Sequence, residues 1–400
     1  MTGLNFYKDM FSSIPCRVVM LYSRSFEPYE GWYRRVYNQA KALVDVGYSV
    51  TLLAWDRSRR SAEREVLDGI QIKRFQIPAG VNQGPKNGWN HLKFHRALVS
   101  YLMRYEFDVV HCFNFDTMPV GLLAAKWQGK KAVLDLCEPD YYRGFWPSRY
   151  NWLLHGVDWL EKILAKRFDH LFVHNTYQIK KFYSYGISRM TQVGSYPNQS
   201  MLAQNLDRPR SDTVVIGRLG TAYANNGFEE LVVAFQKLLD RRSKEKHGQK
   251  YKLRLAGNVF DTYRPTFNSL IEPIGKSVEV TGTYDIGELP QLYREIDISI
   301  LLYGKHSFAN VTPTKLFESM ACGVPVVANS IGDVAQIVTE GNCGVIVDPE
   351  DPESICNGIE KLVSNTELRR TMAANALKLA RKKYTWEVVR DDFLSAYGGL

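Results

Sequence analysis

Short apolar runs alternate with segments of helical periodicity along most of the chain. The run CRVVMLYS is followed by RRVYNQAKALVDVGYSVTLLAWD, a pattern that indicates a helix, a glycine stop and a second strand. FDVVHCFNFD, KKAVLDLC and DHLFVHN continue the alternation. Strands that alternate with helices in this way predict a parallel sheet with helices on both faces.

The alternation stops at a polar, proline-containing segment and then starts again with TVVIGRLG. We therefore predict a first doubly wound α/β domain over residues 1–198, a linker over 199–212 and a second such domain over 213–384. The amphipathic tail TWEVVRDDFLSAY predicts a closing helix over 385–400. Ligands of doubly wound sheets bind beyond the carboxyl ends of the strands, so we expect a site in a cleft between the two domains.

The composition is that of an ordinary soluble protein. The 400 residues are 45% hydrophobic and 23% charged, and no apolar segment reaches the ~18 residues of a membrane-spanning helix. The first residues lack the features of a secretory signal, so we expect a cytoplasmic location. Six scattered cysteines without a CxxC pair fit a reducing compartment and argue against disulfides and structural zinc.

Charge is divided unevenly between the two halves. Residues 1–200 hold 27 Lys and Arg against 17 Asp and Glu, a net charge of +10, whereas the remaining residues carry −1. The first half therefore favours an anionic partner. No nucleic-acid-binding motif is present, so an anionic membrane surface at the inner face of the membrane, or a lipid phosphate, fits better than a nucleic acid; solvated lysines are the simpler alternative.

The segment NVTPTKLFESM has the features of a phosphate-binding helix start. Thr312 is expected to cap the helix and Pro313 to occupy its first position, which leaves the amides of Thr314 and Lys315 free to bind an anion. Lys315 adds a positive charge suited to a diphosphate. Glu318 lies further along the helix, where it could accept hydrogen bonds from ribose hydroxyls. The alternative is a capped surface helix with an exposed glutamate.

Arg218 follows a predicted strand in the turn GRLGTAYANNG, where it suits a second phosphate contact or a structural salt bridge. This turn has neither the GxGxxG pattern of dinucleotide-binding folds nor a Walker lysine. The chain also has no Asp-x-Asp pair, the simplest carboxylate platform for a metal-bound nucleotide sugar. We therefore expect no metal and no separate cofactor.

The first domain offers fewer candidate residues. Gly31 lies in the first strand-to-helix loop, where a ligand could approach the backbone amides. Cys137, Glu138 and Asp140 follow a predicted strand, and the next segment, YYRGFWPSRYNWLL, is rich in aromatic and basic residues that suit a lipid-linked acceptor or core packing equally well. His111 is expected to lie close to the cleft.

These motifs together resemble the retaining glycosyltransferases of family 4, also called glycosyl transferases group 1. The most specific part is PTKLFESMACGVPVVANSIGD with the following IVTEGNCGVIVDPEDPESICNGIEKLV, which is similar to the nucleotide-sugar signature of that family. VVIGRLG, LRLAGN, VEVTGTY and YTWEVVRDDFLSAY occur in the family's order. The resemblance covers nearly the whole chain and implies the GT-B fold, two Rossmann-like doubly wound parallel-sheet domains facing a central cleft, with the closing helix crossing back to the first domain.

The resemblance also implies roles for residues of the second domain. Glu318 matches the second glutamate of the family's E-x7-E motif, which binds the donor ribose, and Asn310 occupies the position of the first glutamate, which contacts the sugar. Arg218 matches the arginine that holds the diphosphate. The family's lysine is replaced by Asn226, and Lys315 is the candidate to supply that charge.

In the first domain, the resemblance places Cys137 where many relatives carry a histidine beside the donor sugar. Glu138 matches the acidic residue that follows it. Glu318 for the ribose and Arg218 for the diphosphate are thus retained, while the family's lysine and the two positions nearest the sugar, Asn310 and Cys137, differ.

The resulting hypothesis is a metal-independent retaining glycosyltransferase. It would move a sugar from a UDP-sugar or GDP-sugar to a glycan or lipid-linked acceptor bound on the basic first domain. The alternative is a catalytically silent subunit that keeps the fold and serves as a scaffold. A sugar-nucleotide epimerase is less well supported, because no convincing acid and base pair accompanies Glu138 and Asp140.

Overall fold

The structure of the chain is a computed structural model. It describes residues 16–28, 32–80, 88–137, 151–206, 212–224, 226–243, 249–304 and 310–400, without the side chains of 151–153. Contacts divide the chain into two units: unit 1 comprises Met1–Ser195 with Val389–Leu400, and unit 2 comprises Tyr196–Val388.

Unit 1 is built on an eight-stranded sheet with the strand order β3-β4-β2-β1-β5-β6-β7-β8. Every neighbouring pair is parallel except β3 and β4. The strands are β1 Arg17–Tyr22, β2 Ser49–Asp56, β3 Arg64–Leu67, β4 Ile70–Gln76, β5 Val109–Phe113, β6 Lys131–Leu136, β7 His170–Val173 and β8 Met190–Gln192.

Helices connect the parallel strands of unit 1, and their ends follow local sequence. The Asn175 side chain caps one helix by accepting from the Gln178 amide, and Gly129 ends another in the left-handed conformation that glycine adopts without strain. The helices are α1 Tyr33–Asp45, α2 Gly88–Leu102, α3 Asn114–Gln128, α4 Asn151–Ala165 and α5 Thr176–Ser184.

A β-hairpin at the edge of the unit 1 sheet departs from the predicted strand and helix alternation. β3 pairs antiparallel with β4, and only Asp68 and Gly69 connect them. Both have positive φ, 49° and 85°, as a tight type I′ turn requires. The Asp-Gly pair is the reason that the chain reverses here instead of entering a helix.

Unit 2 contains a six-stranded sheet in the order β11-β10-β9-β12-β13-β14, and all its neighbouring strands are parallel. The order changes direction between β9 and β12, where a ligand-binding crevice is expected in doubly wound sheets. The strands are β9 Thr213–Leu219, β10 Lys250–Ala256, β11 Val278–Gly282, β12 Ile298–Leu301, β13 Val326–Ala328 and β14 Gly344–Ile346.

The helices of unit 2 pack an apolar face on this sheet; Phe228, Leu231, Phe235 and Ile359 are among the fully buried side chains. The helices of unit 2 are α6 Phe228–Arg242, α7 Arg264–Ile271, α8 Leu289–Arg294, α9 Thr314–Ala321, α10 Val334–Gly341, α11 Pro352–Val363 and α12 Thr366–Lys383.

In the part of the chain that the structure describes, no helix is both long and apolar enough to span a bilayer.

The last helix, α13, spans Trp386–Gly398, and its residues from Val389 onward belong to unit 1. The ring of Phe393 packs on Phe172 of β7 at a centroid distance of 4.8 Å. Phe393 and Tyr397 are buried. The end of the chain therefore completes the core of the unit that its beginning forms.

Candidate active site

A cavity of about 190 Å³ lies in unit 2 at the carboxyl ends of β9 and β12, where the strand order changes direction. Backbone atoms, two cationic side chains and two tyrosines line it. Its lining residues are Arg218, Leu219, Gly220, Thr221, Tyr223, Asn226, Ile300, Leu301, Tyr303 and Lys315.

Arg218 is a buried cation at this cavity. Parallel pairing with β10 extends β9 to Leu219, so Arg218 lies within the strand and not in the turn after it. Its guanidinium donates to the carbonyl of Leu302 at 3.3 Å and to the carbonyl of Asn226 at 3.0 Å. Burial lowers the pKa of Arg218. No carboxylate among the described residues forms an ion pair with it, so the alternative of a structural salt bridge is not found and an anion could occupy that role.

Lys315 reaches the same cavity from the start of α9. Its Cε would lie only 2.4 Å from a Cβ placed on Gly220, whose φ is 119°. Because Gly220 has no side chain, the aliphatic part of Lys315 can pack against the turn after β9. Lys315 and Arg218 thus bring two positive charges to one cavity, and Asn226 stands there with a neutral side chain.

The start of α9 differs from the expectation in one respect. The helix begins at Thr314 with Pro313 at its N-cap, and no side chain caps it. The Thr312 hydroxyl instead accepts a hydrogen bond of 3.0 Å from the amide of Asp333, the residue before α10. The prediction that Thr312 caps this helix is therefore wrong, because Pro313 is extended, with a ψ of 139°, and ends the non-helical segment. Thr314 and Lys315 are the first helical residues, so their backbone amides have no hydrogen-bond acceptor within the helix.

Glu318 is 7% exposed, so the alternative of an exposed surface glutamate does not hold. The Tyr293 hydroxyl donates to its Oε2 at 3.4 Å. Burial, and next the charge of Glu318, raise the pKa of Tyr293 well above its usual value. The tyrosine therefore stays a neutral hydrogen-bond donor to this carboxylate.

Several predicted residues are described only in part or not at all. Asn310 lies in a half-buried turn before α9. Gly31, Glu138 and Asp140, together with most of the segment YYRGFWPSRYNWLL, lie outside the described residues.

Cys137 is buried in unit 1 directly after β6. Its amide donates to Oδ1 of Asn114 at 3.0 Å, and its thiol donates to Oδ1 of Asp135 at 3.6 Å. Asp135 also receives two hydrogen bonds from the Arg35 guanidinium, at 2.9 and 3.0 Å, and one from Gln39 at 2.6 Å. No local sequence pattern indicates this buried polar network, because Arg35 and Gln39 are 100 and 96 residues away from Asp135. A role of Cys137 beside a donor sugar stays a prediction.

The structure corrects the expectation that His111 lies close to a cleft. The side chain is fully buried in unit 1, and its Nδ1 is 2.6 Å from the Tyr397 hydroxyl of α13. Burial, with a smaller contribution from the Arg35 charge, lowers the pKa of His111 to about 3. His111 is therefore a neutral core residue.

Tyr223 and Tyr303 line the cavity but were not predicted as site residues. Tyr303 follows β12 by two residues, and the Asn329 side chain bonds both its amide, at 3.0 Å, and its carbonyl, at 2.9 Å. The sequence signal that could have pointed to Tyr303 as a site residue was a tyrosine two residues after a buried strand.

Within the described ranges, no group of three His, Cys, Asp or Glu side chains is arranged to hold a metal ion.

The chain as a whole has the GT-B fold of known glycosyltransferases. Sucrose-phosphate synthase from Thermosynechococcus elongatus superimposes with a TM-score of 0.80 at 17% identity, over 96% of this chain and 98% of that one. Anabaena HepE, crystallised with UDP and glucose, superimposes with a TM-score of 0.70 at 16% identity, over 96% and 99% of the two chains. The two α/β units, each built on a largely parallel sheet, thus define a protein of the GT-B fold class.

Two family models match consecutive parts of the chain. A glycosyl transferase 4-like domain matches residues 30–193, and the model of glycosyl transferases group 1 matches residues 204–379. The chain therefore belongs to the group 1 glycosyl transferases.

Curated relatives agree with this family. An uncharacterized glycosyltransferase of Methanocaldococcus jannaschii is 26% identical over 47% of this chain and 45% of its own length. The capsular polysaccharide biosynthesis glycosyltransferase CapM of Staphylococcus aureus is 23% identical over 50% of each chain. The matched part of this chain spans half or less of the length of these curated relatives.

Proposed function

We propose that this glycosyltransferase moves a sugar from a nucleoside diphosphate sugar to a glycan or lipid-linked acceptor, with retention of the anomeric configuration and without a metal ion. UDP-sugars are the first donors to consider, since neighbours of the same fold were crystallised with UDP or UDP-glucose, and GDP-sugars are the second.

The observation that carries the proposal is the pair of cations at the unit 2 cavity. Arg218 is buried without an ion-pair partner among the described carboxylates, and Lys315 lines the same cavity beside the first amides of α9. A diphosphate offers the two negative charges that this arrangement lacks. Helix amides and a guanidinium are also the groups that recognise phosphate oxygens best.

The same groups would promote the reaction. As the anomeric carbon exchanges its bond to the β-phosphate oxygen for one to an acceptor oxygen, the acceptor hydroxyl gives its proton to the leaving diphosphate, on which negative charge develops. Arg218 and Lys315 would stabilise that charge without moving, which is the effect that a metal ion provides in other transferases.

Glu318 and Asn310 have supporting roles in the proposal. Glu318 would accept hydrogen bonds from the ribose hydroxyls, and its burial favours this because water cannot easily replace them. Asn310 would contact the transferred sugar through an uncharged amide. The membrane association that the charge of the first half suggests is also part of the proposal.

None of the comparisons favours a silent scaffold, which rests on Cys137 and Asn310 alone. Turnover distinguishes the two functions, because a scaffold would bind a nucleotide without releasing a sugar.

The test is calorimetric titration of the full chain with UDP, GDP, ADP and UMP in EDTA. We expect one diphosphate to bind and UMP to bind much more weakly. Glu318→Gln keeps the shape of the side chain but removes its charge, and it should weaken binding roughly 10- to 100-fold, since a hydrogen bond to a charged group contributes about 1.5–3 kcal/mol. Glu340→Gln, at an exposed glutamate of α10, is the matched control and should bind like the wild type.

The stereochemistry is tested with the matching α-linked donor alone. Slow hydrolysis should release the α-anomer of the sugar first, as followed by NMR. Binding of no diphosphate, or equal binding by wild type and Glu318→Gln, contradicts the donor site. The β-anomer as first product contradicts retention.

A further inference from the structure

One side of unit 1 is covered by a continuous layer of four helices, α2 to α5, called here the outer helical layer. Helices α2 and α3 are in contact, as are α3 and α4, and an ion pair of 2.6 Å between Glu161 and Lys181 joins α4 to α5. Their inward side chains share one core on one face of the sheet. These side chains include Phe94, Leu98, Met118, Ala124, Ala165 and Phe182.

The outward side of this layer carries most of the exposed large apolar side chains of the described residues. The described residues include eleven exposed large apolar side chains, and seven of these belong to the layer. Trp89, Trp127 and Trp159 are 70%, 69% and 64% exposed. An exposed concentration of such side chains marks a surface that meets a partner or a membrane. The seven are Trp89, Leu92, Leu123, Trp127, Trp159, Leu160 and Tyr183.

The same outward side is positively charged. The acidic residues of the four helices are Asp116 and Asp158, which are half-buried, and Glu161, which is buried against Lys181. None of the exposed basic side chains of the layer has an ion pair with a described residue. These basic residues are Lys93, Arg96, Lys126, Lys162 and Lys180.

We propose that the outer helical layer docks on the surface of an anionic phospholipid bilayer. Tryptophan and tyrosine prefer the depth of the lipid headgroups, leucine reaches the acyl boundary, and lysine and arginine meet the lipid phosphates. Each basic residue near such a surface strengthens binding roughly five-fold. The inference deepens the proposed function, since it names the surface by which the transferase would reach lipid-linked acceptors.

Charge and apolar character favour a bilayer over other occupants. In a symmetric dimer the layer would face its own copy and bring like charges together. Nucleic acid would leave Leu92, Leu123 and Leu160 in water, because its outer surface is phosphate. A bilayer satisfies both the apolar and the cationic character.

The test is sedimentation of the full chain with vesicles. We expect binding to vesicles of phosphatidylcholine with phosphatidylglycerol and little binding to phosphatidylcholine alone. Added salt should weaken the binding as the Debye length falls below about 8 Å. Trp127→Ser with Trp159→Ser, and separately Lys126→Glu with Lys162→Glu, should each lower the partition coefficient at least ten-fold. All four side chains are exposed, so thermal unfolding should stay close to that of the wild type.

Matched controls separate the surface from net charge. Lys276→Glu with Lys361→Glu makes the same change in charge at exposed lysines of unit 2 and should reduce binding much less. Brominated lipid should quench tryptophan fluorescence in the wild type but less in Trp127→Phe with Trp159→Phe. The Glu318→Gln variant should bind vesicles like the wild type, so failure of the donor site and failure of this surface are distinguishable.

Binding that is equal on neutral vesicles, absent on anionic ones, or unchanged in both layer variants would overturn the proposal. So would a concentration-dependent dimer that the Trp127→Ser and Trp159→Ser variant abolishes, since the layer would then serve a second copy. Binding to polyuridylate in preference to anionic vesicles would assign the layer to nucleic acid instead.

Discussion

His111 shows how an environment fixes the chemistry of a single residue. Its position between Val110 and Cys112 in β5 directs its side chain to the sheet face opposite the outer helical layer. There it meets Tyr397, which is 286 residues away in the chain. Burial keeps the imidazole neutral, and a neutral ring can accept the tyrosine hydrogen bond.

We expect His111 to make the stability of unit 1 depend on pH. Its folded pKa of about 3 lies below the unfolded value of about 6.5, so the unfolded chain binds more protons between these values. The stabilising contribution is therefore complete above about pH 6.5 and is lost progressively as the pH falls toward 3. Between about pH 7 and pH 5, the wild type should lose roughly 2 kcal/mol more of its unfolding free energy than His111→Gln. Urea unfolding of both proteins at the two pH values measures this difference, and parallel losses would contradict a buried neutral histidine.

Close packing between elements depends on small residues at contact points. Gly121 of α3 lies on β5 so closely that an added Cβ would be 2.0 Å from Sγ of Cys112 and 3.6 Å from Cδ1 of Leu21. Gly156 of α4 has no atom within 4 Å of such a Cβ. Both glycines are helical, but Gly121 is buried against neighbouring atoms and Gly156 is exposed.

The two glycine-to-alanine substitutions should therefore have opposite effects on stability. Gly121→Ala should destabilise unit 1, because over-packing costs about 1–3 kcal/mol and outweighs the better helix propensity of alanine. Gly156→Ala should stabilise by up to about 1 kcal/mol, because it gains that propensity without a clash. Denaturant unfolding of each variant measures both signs, and equal effects would show that α3 does not approach β5 as described.

At the scale of the whole molecule, unit 1 is discontinuous in sequence. Val389–Leu400 belongs to it, and Phe393, Leu394 and Tyr397 contribute buried side chains. Each buried apolar side chain contributes about 1.5–3 kcal/mol, so the three together rival the stability of a typical domain.

A chain that ends at Val388 should consequently have an unfolded or loosened unit 1, while unit 2 keeps the proposed donor site. Hydrogen exchange should show fast exchange in β5 and β7, and the bound diphosphate should still raise the melting temperature of unit 2. A chain that ends at Tyr397 lacks only Gly398, Gly399 and Leu400, and it serves as the control. Protection of β5 and β7 in the shorter chain would contradict this role of the helix.

The sequence by itself determined the class of fold and named most of the residues of the proposed donor site. Strand and helix periods are local properties of the chain, so the alternation that predicts parallel sheets could be read directly. The Asp68-Gly69 turn was also a local signal for the β3–β4 hairpin, although the strand and helix alternation did not reveal it. The family motifs gave Arg218 and Glu318 candidate roles, because their spacing is local as well.

Tertiary structure decided which of these residues meet. Only the fold places Lys315 against Gly220 in the cavity that Arg218 lines. It also pairs the Thr312 hydroxyl with the amide of Asp333 instead of the start of α9, and it buries His111 under α13. Only the fold brings four helices to one side and leaves their aromatic and basic side chains exposed. These facts depend on contacts between residues far apart in sequence, and a local pattern contains no information about its distant partners.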